Sequence, residues 1–207
     1  MSICIIDYGL GNIASVFNSI KHIKYEPIVS CKLDDIDACS HIILPGVGSF
    51  KKAMELLNEK QLIPILQDQV IKKKKPILGI CLGMQLFATY SKENGYSNGL
   101  NWISGGVEEL DPNEIELPIP HIGWNEVVFN SRSNLFNEKK NKDFYFLHSY
   151  HFEVKNKDYI TGVCHYGKNI TAVIEKDNIF GTQFHPEKSH DSGIEVIKKF
   201  IRYKNHA

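Results

Sequence analysis

Short, mostly apolar runs alternate with amphipathic segments in the first half of the 207-residue chain. The runs cover residues 3–7, 27–30, 41–44 and 76–80. The first run is typical of a strand that is buried on both faces, as in a parallel sheet, and the other three predict further strands. Between and after them, helical periodicity begins at residue 12 and recurs at 50–58, 62–71 and 82–90. This alternation predicts an α/β fold with a central, mainly parallel, doubly wound sheet.

The second half of the chain has a different pattern. Its β-rich runs, at residues 126–129, 144–147, 159–164, 171–175 and 179–183, are separated by turn signals instead of helices. We expect them to be antiparallel strands added to the same sheet. Ser192 and Glu195 have capping-box spacing, which predicts the start of a last helix with Ile194, Ile197, Phe200 and Ile201 facing the core. No repeat or linker divides the chain, so residues 1–207 are predicted to form one domain.

The composition excludes several classes of protein. The 24 basic and 24 acidic residues balance, which gives no general attraction to nucleic acid or to an anionic membrane. No apolar run approaches the roughly 18–20 residues of a membrane span, and the N-terminus lacks a charged region typical of a signal peptide. The five cysteines form no Cys-x-x-Cys pair, which argues against a disulfide scaffold or a zinc site. We expect a cytoplasmic protein with reduced thiols and without metal or cofactor.

Two further patterns have structural interpretations. The segment 9–14 (Gly-Leu-Gly-Asn-Ile-Ala) fits a loose dinucleotide-binding fingerprint after a strand. The strand at 27–30 does not end in the acidic residue that would bind a ribose, so a tight turn is the better interpretation. The four lysines at 72–75 end a predicted helix, where cations are favourable, and are expected to be a solvated cap.

The segment Gly79-Ile80-Cys81-Leu82-Gly83 has the pattern of a nucleophile elbow, with cysteine in place of serine. A predicted strand precedes it and a predicted helix follows. Small residues at both ends are needed because the nucleophile occupies a sharp, strained turn. The positive end of the following helix would stabilise a thiolate. Cys81 is therefore the candidate nucleophile.

A cysteine nucleophile needs a base and a group that orients the base. His185 and Glu187 follow the run at 179–183, and in extended chain positions two apart face the same way, so Glu187 could hold the imidazole of His185. Pro45-Gly46-Val47-Gly48 follows the third strand, where an α/β hydrolase places an oxyanion-hole amide. Because a β-branched residue lies between two glycines, the peptide there could flip between two orientations.

These motifs resemble those of class I (triad) glutamine amidotransferases. The resemblance covers essentially the whole chain and rests on six blocks in order: 6–12, 44–48, 79–85, 121–125, 148–150 and 183–189. It implies a flavodoxin-like fold and a glutaminase that forms a Cys81 thioester, with His185 and Glu187 completing the triad. It also implies an oxyanion hole from the Val47 and Leu82 amides. The implied glutamine-binding residues are Gly48, Gln85, His148, Ser149 and Tyr150.

Within this family the blocks are most similar to the branch that serves histidine biosynthesis. That resemblance implies a heterodimer with a (β/α)8-barrel cyclase, which receives the ammonia through a channel. Asn12, Trp124 and Lys188 match positions near the partner interface. The blocks at 121–124 and 188–190 also resemble paralogues that supply ammonia for amidating surface-polysaccharide sugars.

Two other classes of protein share part of this pattern. A stand-alone γ-glutamyl cysteine hydrolase would have the elbow and the histidine but would need no partner. A non-catalytic binding subunit should have lost at least one triad residue, and Cys81, His185 and Glu187 are all present. The sequence therefore favours a glutaminase.

Overall fold

A mixed sheet of nine strands forms the centre of the structure, a computed structural model that describes residues 1–135 and 141–204. Its strands, in chain order among all strands of the protein, are β1 Ile3–Ile6, β2 Pro27–Ser30, β3 His41–Gly46, β4 Ile77–Cys81, β8 His121–Phe129, β9 Lys142–His148, β11 Ile160–Tyr166, β12 Lys168–Lys176 and β13 Ile179–Thr182. Their order across the sheet is β2-β1-β3-β4-β13-β12-β11-β8-β9.

The first five strands in that order are mutually parallel. The order is that of flavodoxin-like sheets, in which ligands bind beyond the carboxyl ends of the strands. The run predicted as a doubly buried strand is buried in β1, and β3 and β4 are buried as well, whereas Ile28 and Val29 on the edge strand β2 are exposed. The predicted α/β fold and parallel sheet are confirmed.

Helices cover both faces of the parallel half. The α-helices are α1 Ile13–His22, α2 Leu33–Ala38, α3 Phe50–Glu59, α4 Leu62–Leu66, α5 Leu82–Gln85, α6 Pro112–Ile115 and α7 His190–Arg202. Apolar residues of α1 and α7 pack on one face of the sheet, and those of α2, α3 and α4 pack on the other. A π-helical segment, Gln67–Lys72, continues α4, so the helix predicted at 62–71 is present with a change of pitch.

The second half of the chain extends the sheet with antiparallel pairs, as predicted. Strand β13 is the junction, because it pairs in parallel with β4 and antiparallel with β12. Strand β8 begins at His121, five residues before the predicted run, because it pairs with β9 from His121 opposite His148 to Val127 opposite Lys142.

A second sheet of four strands was not predicted. It consists of β5 Tyr90–Ser91, β6 Ser97–Asn98, β7 Gly105–Glu109 and β10 Tyr150–Val154, in the order β10-β7-β5-β6. Strands β5 and β6 have only two residues each, and β7 begins with two glycines. None of these three strands therefore carries the periodic pattern of a strand. The glycines are required by packing, since a Cβ at Gly105 would lie 2.2 Å from the carbonyl oxygen of Glu153.

The helix predicted at 82–90 is wrong, because α5 ends at Gln85. The carbonyl groups that would continue the helix bind the segment 99–103 instead. Leu100 N–H donates to Leu86 O at 2.8 Å, and Asn101 N–H donates to Ala88 O at 2.9 Å. Gly99 allows this approach, since a Cβ there would lie 2.2 Å from the Ala88 oxygen. Tertiary hydrogen bonds therefore override the local helical pattern.

Two details at helix ends also differ from prediction. Helix α7 begins at His190, so Ser192 lies inside it and the predicted capping box is wrong. Glu195 instead forms ion pairs with Lys142 and Lys199. The predicted core residues of helix α7 are buried in the case of Ile197, Phe200 and Ile201 and half-buried in the case of Ile194.

The lysine run at 72–75 is more than a solvated cap. The Lys75 ammonium donates to Ile36 O at 2.7 Å and to Asp37 O at 2.9 Å, in the last turn of α2. Lys73 pairs with the Asp37 carboxylate at 2.6 Å. The run therefore joins the end of the π-helical segment to α2, a contact between segments that are distant in sequence.

All five cysteines carry free thiols. None of the helices in the described residues is long and apolar enough to cross a membrane. Within the same residues, no three His, Cys, Asp or Glu side chains are grouped so that they could hold a metal ion.

Candidate active site

Cys81 lies at the carboxyl end of β4 in a strained backbone conformation, with φ 54° and ψ −109°. A residue with a side chain adopts such angles only when its surroundings impose them. Here both flanking glycines are indispensable. A Cβ at Gly83 would lie 1.9 Å from Leu44 O, and one at Gly79 would lie 2.7 Å from Gly83 backbone atoms. The turn therefore has the geometry of a nucleophile elbow, which presents the thiol beyond the sheet edge.

The glycine-rich turn after β1 supports the neighbouring loop, in agreement with its interpretation as a tight turn. Gly9 N–H donates to the Asp7 carboxylate at 3.1 Å. Gly11 has φ 131°, and a Cβ there would lie 3.3 Å from Pro45. The backbone of the first turn thus packs closely on the segment that leads to Val47.

His185 and Glu187 form a buried pair, with His185 Nδ1 and Glu187 Oε1 2.9 Å apart and both side chains 1% exposed. The predicted contact is present, but the expected extended chain is wrong. A 3-10 turn at Pro186–Lys188 brings Glu187 back beside the imidazole. Ser189 fixes this turn, since its hydroxyl donates to His185 O at 2.6 Å and accepts from Tyr145 N–H at 3.0 Å.

The environment of His185 favours its protonated form. Burial alone would lower its pKa, but the negative charge of an ionised Cys81 and the Glu187 carboxylate outweigh burial and raise the pKa to about 10. The Nε2 atom has no hydrogen-bond partner among the described residues. Because Glu187 occupies Nδ1, Nε2 is the ring atom available to exchange a proton with a substrate or with Cys81.

A cleft of about 440 Å³ opens above these residues. The residues that line it are Val47, Gly48, Ser49, Cys81, Leu82, Gln85, Glu93, Leu147, His148, Ser149, Tyr150 and His185. They come from the loop after β3, from the end of β4 and from α5, from the loop after β5, from the end of β9 and the start of β10, and from the segment after β13. The fold thus brings the Cys81 thiol, the His185 imidazole and the Glu93 carboxylate to one cavity, which is large enough for a free amino acid.

The site has the parts of a nucleophilic acyl-transfer site: a buried cysteine on a strand-to-helix turn, a histidine beside it, and a glutamate that orients the histidine. The sequence model of the glutamine amidotransferase class-I family matches residues 4–203. The chain belongs to the class-I glutamine amidotransferases.

Relatives within the family cover nearly the whole chain. The imidazole glycerol phosphate synthase subunit HisH of Pelagibacter ubique is 42% identical over 97% of this chain and 99% of its own length. The protein of the same name from Leptospira interrogans is 43% identical over 95% of this chain and 97% of its own length. Subunit HisH 2 of Vibrio vulnificus is 44% identical over 97% of this chain and 94% of its own length.

Solved structures of low sequence identity share the fold. PurLQS from Thermotoga maritima superimposes with a TM-score of 0.74 at 17% identity and covers 98% of both chains. The crystal structure of a glutamine amidotransferase has a TM-score of 0.75 at 12% identity, over 96% of this chain and 96% of its own. The amidotransferase fold therefore accounts for both sheets of this chain.

Glu93 is a residue of the amidotransferase cleft that sequence analysis missed. It lies in the loop after β5, and its Oε2 accepts a hydrogen bond from Phe50 N–H, at the start of α3, at 2.6 Å. No motif of general meaning surrounds it. Only the fold of the unpredicted second sheet places this carboxylate on the same cavity as Cys81.

Gln85 is held from two sides. Its Nε2 donates to Tyr150 O at 2.8 Å and to Gln183 Oε1 at 3.0 Å. Both hydrogens of the amide nitrogen are thereby used, which leaves Oε1 as the amide atom that can meet a ligand. Gln85 and Glu93 thus offer acceptor oxygens to a cation in the cleft.

His148 is fixed as a neutral imidazole. Its Nδ1 lies 2.9 Å from Tyr150 O, so Nδ1 carries the proton and Nε2 accepts from His121 Nδ1 at 3.0 Å. Burial lowers the pKa of His148 to about 3 and that of His121 to about 4. His121 stacks on Phe146 and Tyr166, which holds its ring in place.

The residues expected at a partner interface lie near one another. Trp124 is 48% exposed and stacks on His190, with ring centroids 5.0 Å apart. Lys188 is exposed, and its ammonium lies 5.6 Å from the centre of the Tyr145 ring, beside Trp124. Asn12 precedes α1, which packs against the turn that carries Lys188.

Proposed function

We propose that this chain is the glutaminase subunit of an imidazole glycerol phosphate synthase, and that it acts as one domain. The proposal is carried by the relatives of that name, which are 42–44% identical over nearly their whole lengths. A class-I amidotransferase hydrolyses the side-chain amide of glutamine. The cleft lined by Cys81 and His185, with the buried Glu187 bound to the imidazole, supports this activity.

The reaction would proceed in two steps. The Cys81 thiolate attacks the amide carbon of glutamine, and protonated His185 gives its Nε2 proton to the departing nitrogen, which leaves as ammonia. A thioester of the γ-carboxyl group with Cys81 remains. His185 then accepts a proton from water, the hydroxide attacks the thioester, and glutamate and the thiolate are released. Glu187 holds Nδ1 throughout, so that Nε2 faces the reacting atoms.

The walls of the cleft match the polar groups of glutamine. The carboxylate of Glu93 and Oε1 of Gln85 would bind the α-ammonium group. Gly48 and residues 148–150 would enclose the rest of the amino acid. The backbone amides of Val47 and Leu82 would bind the oxyanion of the tetrahedral intermediates, a contribution of about 2.7–4 kcal/mol for each donor in comparable sites.

We propose a (β/α)8-barrel cyclase as the partner. The ammonia released in the cleft would be protonated in water and lose its nucleophilicity, so it must pass directly to an acceptor site, and the subunit names of the relatives indicate a second chain. The exposed Trp124 and Lys188, with Asn12 nearby, offer the docking surface.

Glutamate release tests the proposal. Activity would be measured for the chain alone, with a histidine-pathway cyclase, and with the cyclase and its ribonucleotide ligand, using Cys81→Ala as control. We expect strong stimulation by the liganded cyclase and loss of all activity in the variant. High activity of the chain alone would instead indicate an independent hydrolase.

A second candidate, a paralogue that supplies ammonia for amidating a sugar, is favoured by the numbered names of some relatives. They include HisH 2 of Vibrio vulnificus and HisH 1 of Campylobacter jejuni. Numbered subunits indicate more than one copy in an organism, and two copies can serve two acceptors. Stimulation by a sugar-amidating synthase and not by the cyclase would establish this second function.

A further inference from the structure

Gln183 is a fully buried polar residue that the proposed mechanism does not use. In the register of β4 and β13, Thr182 lies opposite Ile80, so the next residues, Gln183 and Cys81, are neighbours. Gln183 is 0% exposed, and its Nε2 lies 3.6 Å from Cys81 Sγ. A buried amide is costly unless both its ends are hydrogen-bonded, so its partners define its orientation.

The orientation of the Gln183 amide follows from one fixed acceptor. Tyr150 O can only accept, so the Gln85 atom 2.8 Å away from it is the amide nitrogen. The same nitrogen lies 3.0 Å from Gln183, whose nearer atom must therefore be Oε1. Nε2 of Gln183 is then the atom that faces Cys81. The Gln183 amide thus presents a donor to the sulfur.

Besides the His185 imidazole, the sulfur of Cys81 has two polar neighbours of opposite kinds, one acceptor and one donor. As a thiol it can donate to Leu147 O, which lies 3.8 Å away. As a thiolate it has no proton to donate to Leu147 O and is stabilised by hydrogen-bond donors, of which the Gln183 amide is one. Hydrogen bonds from fixed donors stabilise an anion more than they stabilise its neutral form. The thiol form of Cys81 therefore contacts Leu147 O, and the thiolate form accepts a hydrogen bond from Gln183.

We propose that Gln183 is a further catalytic residue. Its Nε2 donates a hydrogen bond to the Cys81 thiolate and so keeps the sulfur in position at the wall of the cleft. The same residue accepts from Gln85, so one side chain connects the nucleophile to a residue expected to bind the substrate. The inference deepens the proposed function, since it assumes that Cys81 is the nucleophile.

Alkylation of Cys81 by iodoacetamide tests this role without substrate or partner. The rate would be followed between pH 5 and pH 10 by mass spectrometry of the Cys81 peptide, because Cys31 is also partly exposed. Gln183→Met removes the donor and keeps the length of the side chain. We expect the pH midpoint of alkylation to rise by about 1–2 pH units, the usual effect of one hydrogen bond to a charged group.

Gln69→Met is the matched control. Gln69 is also a buried glutamine with 0% exposure, but it binds Asp37, away from the cleft. We expect it to lower the melting temperature without moving the midpoint. An unchanged midpoint in a folded Gln183→Met variant would overturn the proposal, as would an equal shift in Gln69→Met.

Gln183→Glu provides a second test if Gln183→Met fails to fold. It preserves the shape and the acceptor for Gln85 but places a carboxylate oxygen against the sulfur. We expect an upward shift of at least about 1–2 pH units, and a midpoint equal to that of the unaltered chain would overturn the proposal. Glutaminase activity with the liganded cyclase is a separate measurement, so failure of the proposed function is distinguishable from failure of this inference.

Discussion

The strained backbone at Cys81 predicts that glycine at this position stabilises the fold relative to alanine. A residue with a Cβ at φ 54° and ψ −109° stores about 1–3 kcal/mol of strain, whereas glycine tolerates positive φ. Glycine also lowers the free energy of unfolding by about 0.5–1 kcal/mol relative to alanine, because the unfolded chain with glycine is more flexible. The net expectation is that Cys81→Gly is more stable than Cys81→Ala by about 1 kcal/mol, or about 2–4 °C in melting temperature for a chain of this size.

Cys164 provides the matched control. It is a fully buried cysteine on β11, outside the set of non-glycine residues with positive φ. At this position we expect the opposite sign, with Cys164→Gly less stable than Cys164→Ala by about 0.5–1 kcal/mol. Urea unfolding of the four variants measures both differences. If glycine destabilises equally at positions 81 and 164, the elbow stores no strain and the reasoning is refuted.

Three other predictions follow from single contacts. Glu187→Gln should lower kcat of the stimulated glutaminase by up to about 10⁴-fold with little change in KM, and an unchanged kcat would exclude an orienting role. The pKa values of His121 and His148 are lower in the folded chain than in the unfolded chain, so the unfolded chain binds more protons below pH 6.5. Stability should therefore fall as the pH drops from 6.5 toward 4, by up to about 1.4 kcal/mol per pH unit for each histidine, and less steeply in a His121→Gln, His148→Gln double variant. Lys75→Ala should cost about 1–2 kcal/mol because two carbonyls of α2 lose their donor, while Lys72→Ala, whose ion pair is exposed, should cost at most about 0.5 kcal/mol; equal losses in urea unfolding would contradict this.

Much of the parallel half could be predicted because its signals are local. Doubly buried strands require continuous apolar runs, and the glycines at 79 and 83 are required by the turn that they flank. The antiparallel strands were predicted in place but not in length, since β8 is extended to His121 by its pairing with β9. The second sheet was missed because its short strands are specified by hydrogen bonds between distant segments.

From the sequence alone, Cys81, His185 and Glu187 could be predicted as candidate nucleophile, base and orienting acid, because each lies in a short motif at the end of an apolar run. Which other side chains line the cleft with Cys81 and His185 depends on contacts between distant segments of the chain. Glu93 reaches it through the second sheet, and Gln183 faces Cys81 because β13 pairs with β4, about a hundred residues earlier in the chain. The physical reason is that chain segments far apart in sequence become neighbours only when strand pairing satisfies their backbone hydrogen bonds and buries their apolar faces.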